Sequence, residues 1–326
     1  MSALLRGLTY GTVIVTVLLT MVALAIWFER KVAGRMQSRL GPTLVGPVGL
    51  LQPIADVVKL LQKEDIVPAG ADRGLFNAAP VLATLASLAA AAVVPFSAST
   101  IAADLDVGVL YVLAVGGLTV IPTFCAGWAS QNKFALLGGM RAIAQSISYG
   151  VPLVLSALVP VILTGTLSLS GIVTWQAEHH WIAVWPFPLG LPAFFLFFLS
   201  LLAESNRIPF DIPEAESELV AGVTTEYTGA KFTLFYMGEY LHTLVGSAVA
   251  AALFFGGWDG PVRPGLHWMV LKTLLLFVAV YWVRWSLLRF RADQLMELCW
   301  KRLTPLGVGL VLAAAAWTTF LPGGAR

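Results

Sequence analysis

Long apolar runs dominate the chain, separated by short stretches in which the charges collect. A helix needs about 20 apolar residues to cross the hydrocarbon core of a bilayer. Eight stretches supply them: residues 8–28, 75–95, 108–128, 145–168, 188–204, 233–256, 268–288 and 303–321. Pro152, Pro160, Pro188 and Pro192 interrupt the fourth and fifth. Barrel strands alternate over about ten residues, and these runs are far longer and more uniform. The pattern predicts an all-α integral membrane protein, a bundle of eight transmembrane helices forming one membrane domain over residues 1–326. Residues 48–64 follow a different rhythm. Leu50, Leu51, Ile54, Val57, Val58 and Leu61 make one apolar stripe, with Gln52, Asp56, Lys59 and Lys63 on another face. That segment is too short and too charged to span, so it is expected to lie in the interface plane as an amphipathic helix.

Composition agrees. Hydrophobic residues make up 58% of the 326, charged residues 12%, and mean hydropathy is +0.83. An ordinary soluble domain carries roughly 25% charged residues. A net charge of +2 gives no electrostatic footprint for nucleic acid. Cys125 and Cys299 are far apart and form no CxxC pair, which leaves no thiolate set for a cluster, a structural zinc or a disulfide framework.

The charges also orient the spans. Of the 20 basic residues, all but Arg6, Arg263, Lys272 and Arg326 fall in the odd-numbered loops (29–74, 129–144, 205–232 and 289–302) or at Arg284 beside the last of them. The positive-inside rule places those loops in the cytoplasm (or matrix, or stroma) and both termini outside. Ala23-Leu24-Ala25 has the small-x-small look of a cleavage site. The charge order argues for retention instead, because Arg6 alone precedes the first span while Glu29, Arg30, Lys31, Arg35 and Arg39 follow it.

Candidate chemistry collects on the inner face. On the outer side His179 and His180, with Glu178 as the one acid beside them and no thiol, read as a solvated pair rather than a metal site, and His242 reads as a hydrogen-bonded bundle histidine. The third inner loop, AESNRIPFDIPEAESELVAGVTTEY (203–227), sets six carboxylates against one basic residue, Arg207. They are Glu204, Asp211, Glu214, Glu216, Glu218 and Glu226. Pro209 and Pro213 stop the preceding helix, and Asp211 with Glu214 fits a capping box opening a short new one. Glu214 and Glu218 would then share a face. Phe210, Ile212, Leu219 and Val220 suggest a packed segment rather than a solvated one. Carboxylates crowded in a partly dry space titrate as a coupled set, some pushed toward neutrality. Glu29, ending the first span, and Glu239, inside the sixth, add ionisable groups at membrane depth, which are functional candidates by default.

Three segments together resemble the H subunit of bacterial respiratory complex I, the mitochondrial NADH dehydrogenase subunit 1 family. They are FERKVAGRMQSRLGPTLVGPVGLLQPIADVVKLLQKE (28–64), GWASQNKFALLGGMRAIAQSISY (127–149) and AESNRIPFDIPEAESELVAGVTTEYTGAKFTLFYMGEY (203–240). The resemblance covers all but the two ends. It implies a non-autonomous subunit of a proton-pumping NADH:quinone oxidoreductase in the bacterial inner membrane. Such a subunit forms the membrane side of the quinone chamber, with peripheral-arm subunits that carry the terminal iron–sulfur cluster, and meets small membrane subunits and the lipid bilayer. Quinone (ubiquinone, menaquinone or plastoquinone) would be the bound substrate, with no metal, flavin or cluster in this chain. Carried over position by position, Arg30, Arg39, Asp56, Arg207, Asp211 and Phe232 would belong to the chamber. Glu29, Arg141, Glu204, Glu214, Glu216, Glu218, Glu226 and Glu239 would belong to the coupling path. The tail would enter between the first span, the 48–64 helix and the sixth span.

Two positions depart from the family: Thr43 stands where Asn is usual, and Gly150 replaces the carboxylate of its SYE motif. The second departure puts the proton route in doubt at that point and leaves a side-chain-sized space beside Glu204, which ordered water or an acid from a neighbouring helix or partner subunit is expected to fill. Three alternatives stay open: a homologous complex fed by reduced ferredoxin, coenzyme F420 or a hydrogenase; a secondary transporter, which should show inverted repeats; and a purely structural anchor.

Overall fold

The computed structural model describes residues 3–98 and 100–320; the side chains of residues 3–10, Glu216 and Ser217 fall outside that description, as do residue 321 of the last predicted span and Arg326. Among the described residues the regular structure is helical, with no β-strand. Six helices are long and apolar enough to cross a membrane: Gly11–Met36, Arg73–Ala91, Gly108–Ala129, Lys133–Thr164, Leu266–Ser286 and Ala292–Phe320. The chain is a multi-pass membrane protein.

The first helix, α1 (Ala3–Met36), runs past the predicted end at 28, because its charged residues sit on a helix that continues beyond the apolar run. A loop tied back by Trp27 Nε1 donating to Val48 O (3.2 Å) leads to α2 (Gln52–Gln62). The expected 48–64 helix is therefore shorter, since Val48 has φ +57 and a separate 3-10 turn spans Pro47–Gly49. Asp72 caps α3 (Arg73–Ala91) by accepting from the backbone N–H of Gly74 and Leu75. The third apolar run divides at Thr119 into α4 (Gly108–Leu118) and α5 (Val120–Ala129).

The next helix, α6 (Lys133–Thr164), starts 12 residues before the predicted 145 because Asn132 caps it, accepting from Phe134 N–H at 2.8 Å. Pro152 and Pro160 lie within it without ending it. Between the fourth and fifth runs the sequence reading missed α7 (Leu169–Glu178), capped by Ser168. Then follow α8 (Gly190–Glu204), α9 (Glu216–Leu219), α10 (Gly229–Phe254) and α11 (Leu266–Ser286). The predicted loop 289–302 is largely helix. Through a π turn at Cys299–Leu303, α12 (Ala292–Leu298) continues into α13 (Thr304–Phe320). Its charges misled because they sit outward, with Lys301 pairing Glu297 one turn away at 2.9 Å.

The two remaining predicted spans differ in kind from the other six. With 15 residues, α8 rises only about 22 Å, short of the roughly 30 Å hydrocarbon core. Longer but carrying Lys231, Glu239 and His242, α10 is the central helix, in contact with α1, α2, α3, α7, α8 and α11. Its length from Tyr240 to Phe254 is almost wholly buried. Ala248, Ala250, Ala251 and Ala252 let neighbours approach closely there. At its C-terminal end the buried Lys272 of α11 donates to the carbonyls of Phe255 (2.6 Å), Gly257 (3.1 Å) and Asp259 (2.5 Å) and lies over the Trp181 ring. A cation there satisfies carbonyls that the helix end leaves unpaired. Polar side chains on α10 are tolerated because protein, not lipid, surrounds them.

Candidate functional site

The site starts near the C-terminal end of α1. Arg30 pairs with Asp56 of α2, and Asp56 also accepts from Gln52 (3.1 Å) and lies 3.7 Å from Lys59. Burial works to raise the Asp56 pKa, but these partners outweigh it and hold the carboxyl below its usual range. Beside the pair a cleft of about 810 Å³ opens between Arg30, Arg39, the 40–44 turn and Gln52. The apolar stripe of α2 faces outward: Leu50, Leu51, Ile54, Val57, Val58 and Leu61 are all exposed.

One residue back, Glu29 is buried at 4% exposure. Arg284 of α11 reaches its Oε1 at 2.5 Å, and the Tyr240 hydroxyl donates to its Oε2. Tyr236 stands 3.0 Å from the Tyr240 hydroxyl, so α1, α10 and α11 meet through one polar cluster. Taking a carboxylate and a guanidinium out of water costs several kcal/mol each unless they are paired and hydrogen-bonded, which is the arrangement here.

From Tyr240 the cluster continues to Arg207, in the loop after α8. Its guanidinium lies 4.5 Å from the Tyr240 ring centroid and 5.8 Å from that of Tyr281. Its Nη2 is 3.5 Å from Glu239 Oε2, at ion-pair but not hydrogen-bond distance. Burial opposes its charge, but Tyr281, Glu239, Tyr240 and Glu29 outweigh it and the pKa is raised. Beyond Arg207, Glu239 and Glu214 line one small polar cavity. Ser87, Thr119 and Thr123 also line it, and Glu204 and His242 stand there too, with Oε2 to Nε2 at 3.4 Å. A row of ionisable side chains thus runs from Asp56 to His242.

The loop between α8 and α10 brings these groups together. Phe210, Ile212 and Leu219 are buried, as expected, whereas Val220 is exposed at φ +65. Gln145 of α6 donates to Ala203 O (2.7 Å) and Phe210 O (2.9 Å), and Phe290 N–H to Pro209 O (2.9 Å). Gly222 is required by geometry: at φ +54, a Cβ would stand 1.9 Å from Pro213 O. The expected capping box at Asp211 and Glu214 does not form. The short α9 starts at Glu216 after Ala215, with no side-chain cap, because the two prolines keep Asp211–Glu214 irregular.

Glu214 and Glu218 therefore share no helix face. Glu218 is exposed and held by Arg141 (2.6 Å) and Arg289 (2.8 Å); the Arg141 hydrogen bond is the largest influence lowering its pKa. Glu214 is turned inward. Burial first, then the Glu239 charge, push its pKa well up against the opposing Arg207 and Arg284. Burial and Glu214 likewise push Asp211 up to about 6, although Arg284, Arg207 and Arg289 oppose it.

Other residues singled out in the sequence stand apart from the row. Arg39 is exposed and donates to Gln37 Oε1 (2.7 Å). Phe232 stacks on Tyr236 and packs on a second core around Phe76 and Tyr227. Glu226 accepts from Asn132 at 2.6 Å, and the side chain of Glu216 is outside the described residues. The space at Gly150 is open, but Glu204 is not among its neighbours. The glycine facing Glu204 is Gly116, where a Cβ would meet Oε1 at 2.5 Å. Tyr240, Arg284 and His242 were missed as site members. An arginine at a span end looks like an interfacial anchor in sequence and a tyrosine within a span looks like packing; only the fold shows Arg284 and Tyr240 facing Glu29.

Residues 10–315 match the family model described as NADH dehydrogenase. The H subunit of the NADH-quinone oxidoreductase of Dehalococcoides mccartyi strain CBDB1 is 48% identical over 307 residues, covering 94% of this chain and 84% of that protein. The chain belongs to the family of NADH-quinone oxidoreductase H subunits. Other members agree: the H subunit of Rickettsia typhi at 47% identity (94% of this chain, 92% of the relative) and that of Brevibacillus brevis at 45% (97% and 96%). Family membership makes the row from Asp56 to His242 the natural place to look for function.

Proposed function

We propose that this chain is the membrane subunit of a proton-pumping NADH-quinone oxidoreductase. It forms the membrane side of the quinone chamber and couples quinone reduction to proton translocation. The observation that carries the reading is the row, exposed at its Arg30 end and partly to fully buried beyond it, of Asp56–Arg30, Glu29–Arg284–Tyr240, Arg207–Glu239–Glu214 and Glu204–His242. A scaffold alone has no use for so many ionisable groups inside an apolar bundle. With α8 and α10 as the central crossings the chain spans eight times, and α2 lies in the interface. Both termini are periplasmic, in a bacterial inner membrane.

The row supplies what coupling needs. Partner subunits bring electrons from a terminal iron–sulfur cluster to the quinone, and the charge that arrives must be matched by protons. At an effective dielectric of about 20, one charge about 10 Å away changes a group's proton affinity by about 1.7 kcal/mol, more than tenfold. Asp211, pushed up to about 6 by burial, exchanges protons just below neutral pH, and Glu214, pushed up by burial and the Glu239 charge, responds to the same kind of charge. Arg207 and Arg284 fix the carboxylates in place. The quinone tail enters beside the exposed stripe of α2, and the headgroup meets the polar side chains near Arg30 and Asp56.

The test uses the intact complex. Ala55→Trp or Val57→Trp, on α2, raises KM for long-tailed quinones more than for short-tailed ones. An equal rise for both would mark a general folding defect and remove α2 from the chamber's mouth.

A further inference from the structure

The deepest pair of the row, Glu204 and His242, holds the only histidine among the described residues that lines the polar cavity. His242 is 9% exposed, and neither ring nitrogen has a hydrogen-bond partner among the described residues. Its Nε2 faces Glu204 Oε2 at 3.4 Å, just outside hydrogen-bond geometry. Leaving two such nitrogens unsatisfied in a packed interior costs about 1–3 kcal/mol each. Catalytic hydrogen bonds are often loose in resting structures and tighten when their charges change.

The same two residues line a second, deeper void, whose other walls are apolar or glycine: Gly116, Leu153, Ala157, Phe197, Leu201 and Val245 are among them. The pair therefore forms the partition at which the polar cavity ends. The groups facing His242 across each packing element can be named. They are Glu204 from α8, Glu239 one turn back on α10, and Glu214 from the loop across the cavity. Ser87 of α3 and Thr119 and Thr123 beside α4 and α5 offer hydroxyls only, and a Cβ at Gly116 would lie 3.7 Å from the ring. From α6 the titratable side chain near Glu204 is Tyr149.

We propose that the Glu204–His242 pair is a proton-loading site at the end of the row, with His242 carrying the loaded proton. The idea rests on the coupling function proposed above. Two states interconvert within the pair. In one, the Glu204 carboxyl holds the proton and the imidazole is neutral. In the other, the O–H bond has broken, an N–H bond has formed at Nε2, and an imidazolium faces a carboxylate. That internal transfer leaves the net charge unchanged. Loading from the cavity adds one proton and one positive charge, and passing it on removes both.

The experiment compares the intact complex in proteoliposomes with His242→Asn, Glu204→Gln, the double variant, and Glu214→Gln, recording coupled rate, protons moved per electron and the pH–rate profile. His242→Asn keeps a hydrogen-bonding side chain that cannot titrate. We expect it to lower coupled turnover by on the order of 100-fold, the lower end of what a positioned proton-transfer group supplies, and to remove one ionisation from the profile. The double variant should be no worse than Glu204→Gln, because the pair acts as a unit. A wild-type profile and stoichiometry in His242→Asn, with Glu214→Gln impaired, would overturn this inference and leave the coupling reading standing. Full coupling in every variant would end both. If His242→Asn and His242→Gln both fail to assemble, the ring belongs to folding and the proposal falls.

Discussion

The two loop glutamates offer the sharpest dissection of this site, because the structure assigns them opposite environments. Glu218 is exposed and clamps the loop through Arg141 and Arg289 at 2.6 and 2.8 Å. Exposed ion pairs are worth about 0.2–1 kcal/mol each and are screened by salt over about 8 Å. Glu218→Gln should therefore loosen the loop by about 1 kcal/mol at low ionic strength and less at physiological salt. Glu214 is different. Its pKa is pushed well above 4.5 by burial and by Glu239, so its carboxyl stabilises the fold below pH 4.5 and loses that contribution as pH rises through the folded value. Glutamine keeps a hydrogen-bonding group of the same size at a cost of about 1 kcal/mol or less, and has no such loss. The stability of Glu214→Gln relative to wild type should thus improve as pH rises. Limited proteolysis of the loop and thermal unfolding of the complex read stability; protons per electron in proteoliposomes read coupling. Glu214→Gln should impair coupling with an intact loop, and Glu218→Gln should show the reverse. Loss of coupling in Glu218→Gln alone would refute the division.

Three further outcomes follow from the geometry. The displacement of Asp211 from 3.8 to about 6 is worth about 3 kcal/mol. Wild-type stability should fall between those pH values by about that much more than the stability of Asp211→Asn does, as melting curves at pH 4 and pH 7 will reveal. Gly222→Ala combines a left-handed backbone with a Cβ 1.9 Å from Pro213 O. It should destabilise the loop by about 3 kcal/mol or more and reduce the yield of assembled complex. Lys272→Met keeps the volume but leaves three carbonyls at the C-terminal end of α10 without their donor. A loss of about 3 kcal/mol or more in unfolding measurements is expected.

Runs of apolar residues and the side on which charges collect were enough to read an all-helical membrane bundle, because lipid enforces both without reference to tertiary contacts. The long motifs were enough to read the family, and the stripe of α2 was visible because surface periodicity is local. Helix ends were less legible. Caps at Asn132 and Asp72, and a π turn at Cys299–Leu303, extend or join helices through charged stretches that hydropathy reads as loops. The partners of each carboxylate were beyond sequence altogether. Glu29 meets Arg284 across 255 positions, Glu218 meets Arg141 and Arg289, and Glu204 meets His242 and Gly116 rather than Gly150. The sequence places a carboxylate near the membrane; which cation or ring compensates it depends on how α1, α6, α8, α10 and α11 pack. That packing separates the buried Glu214 from the solvated Glu218 four residues away, because desolvation and pairing are properties of the folded surroundings, not of the residue.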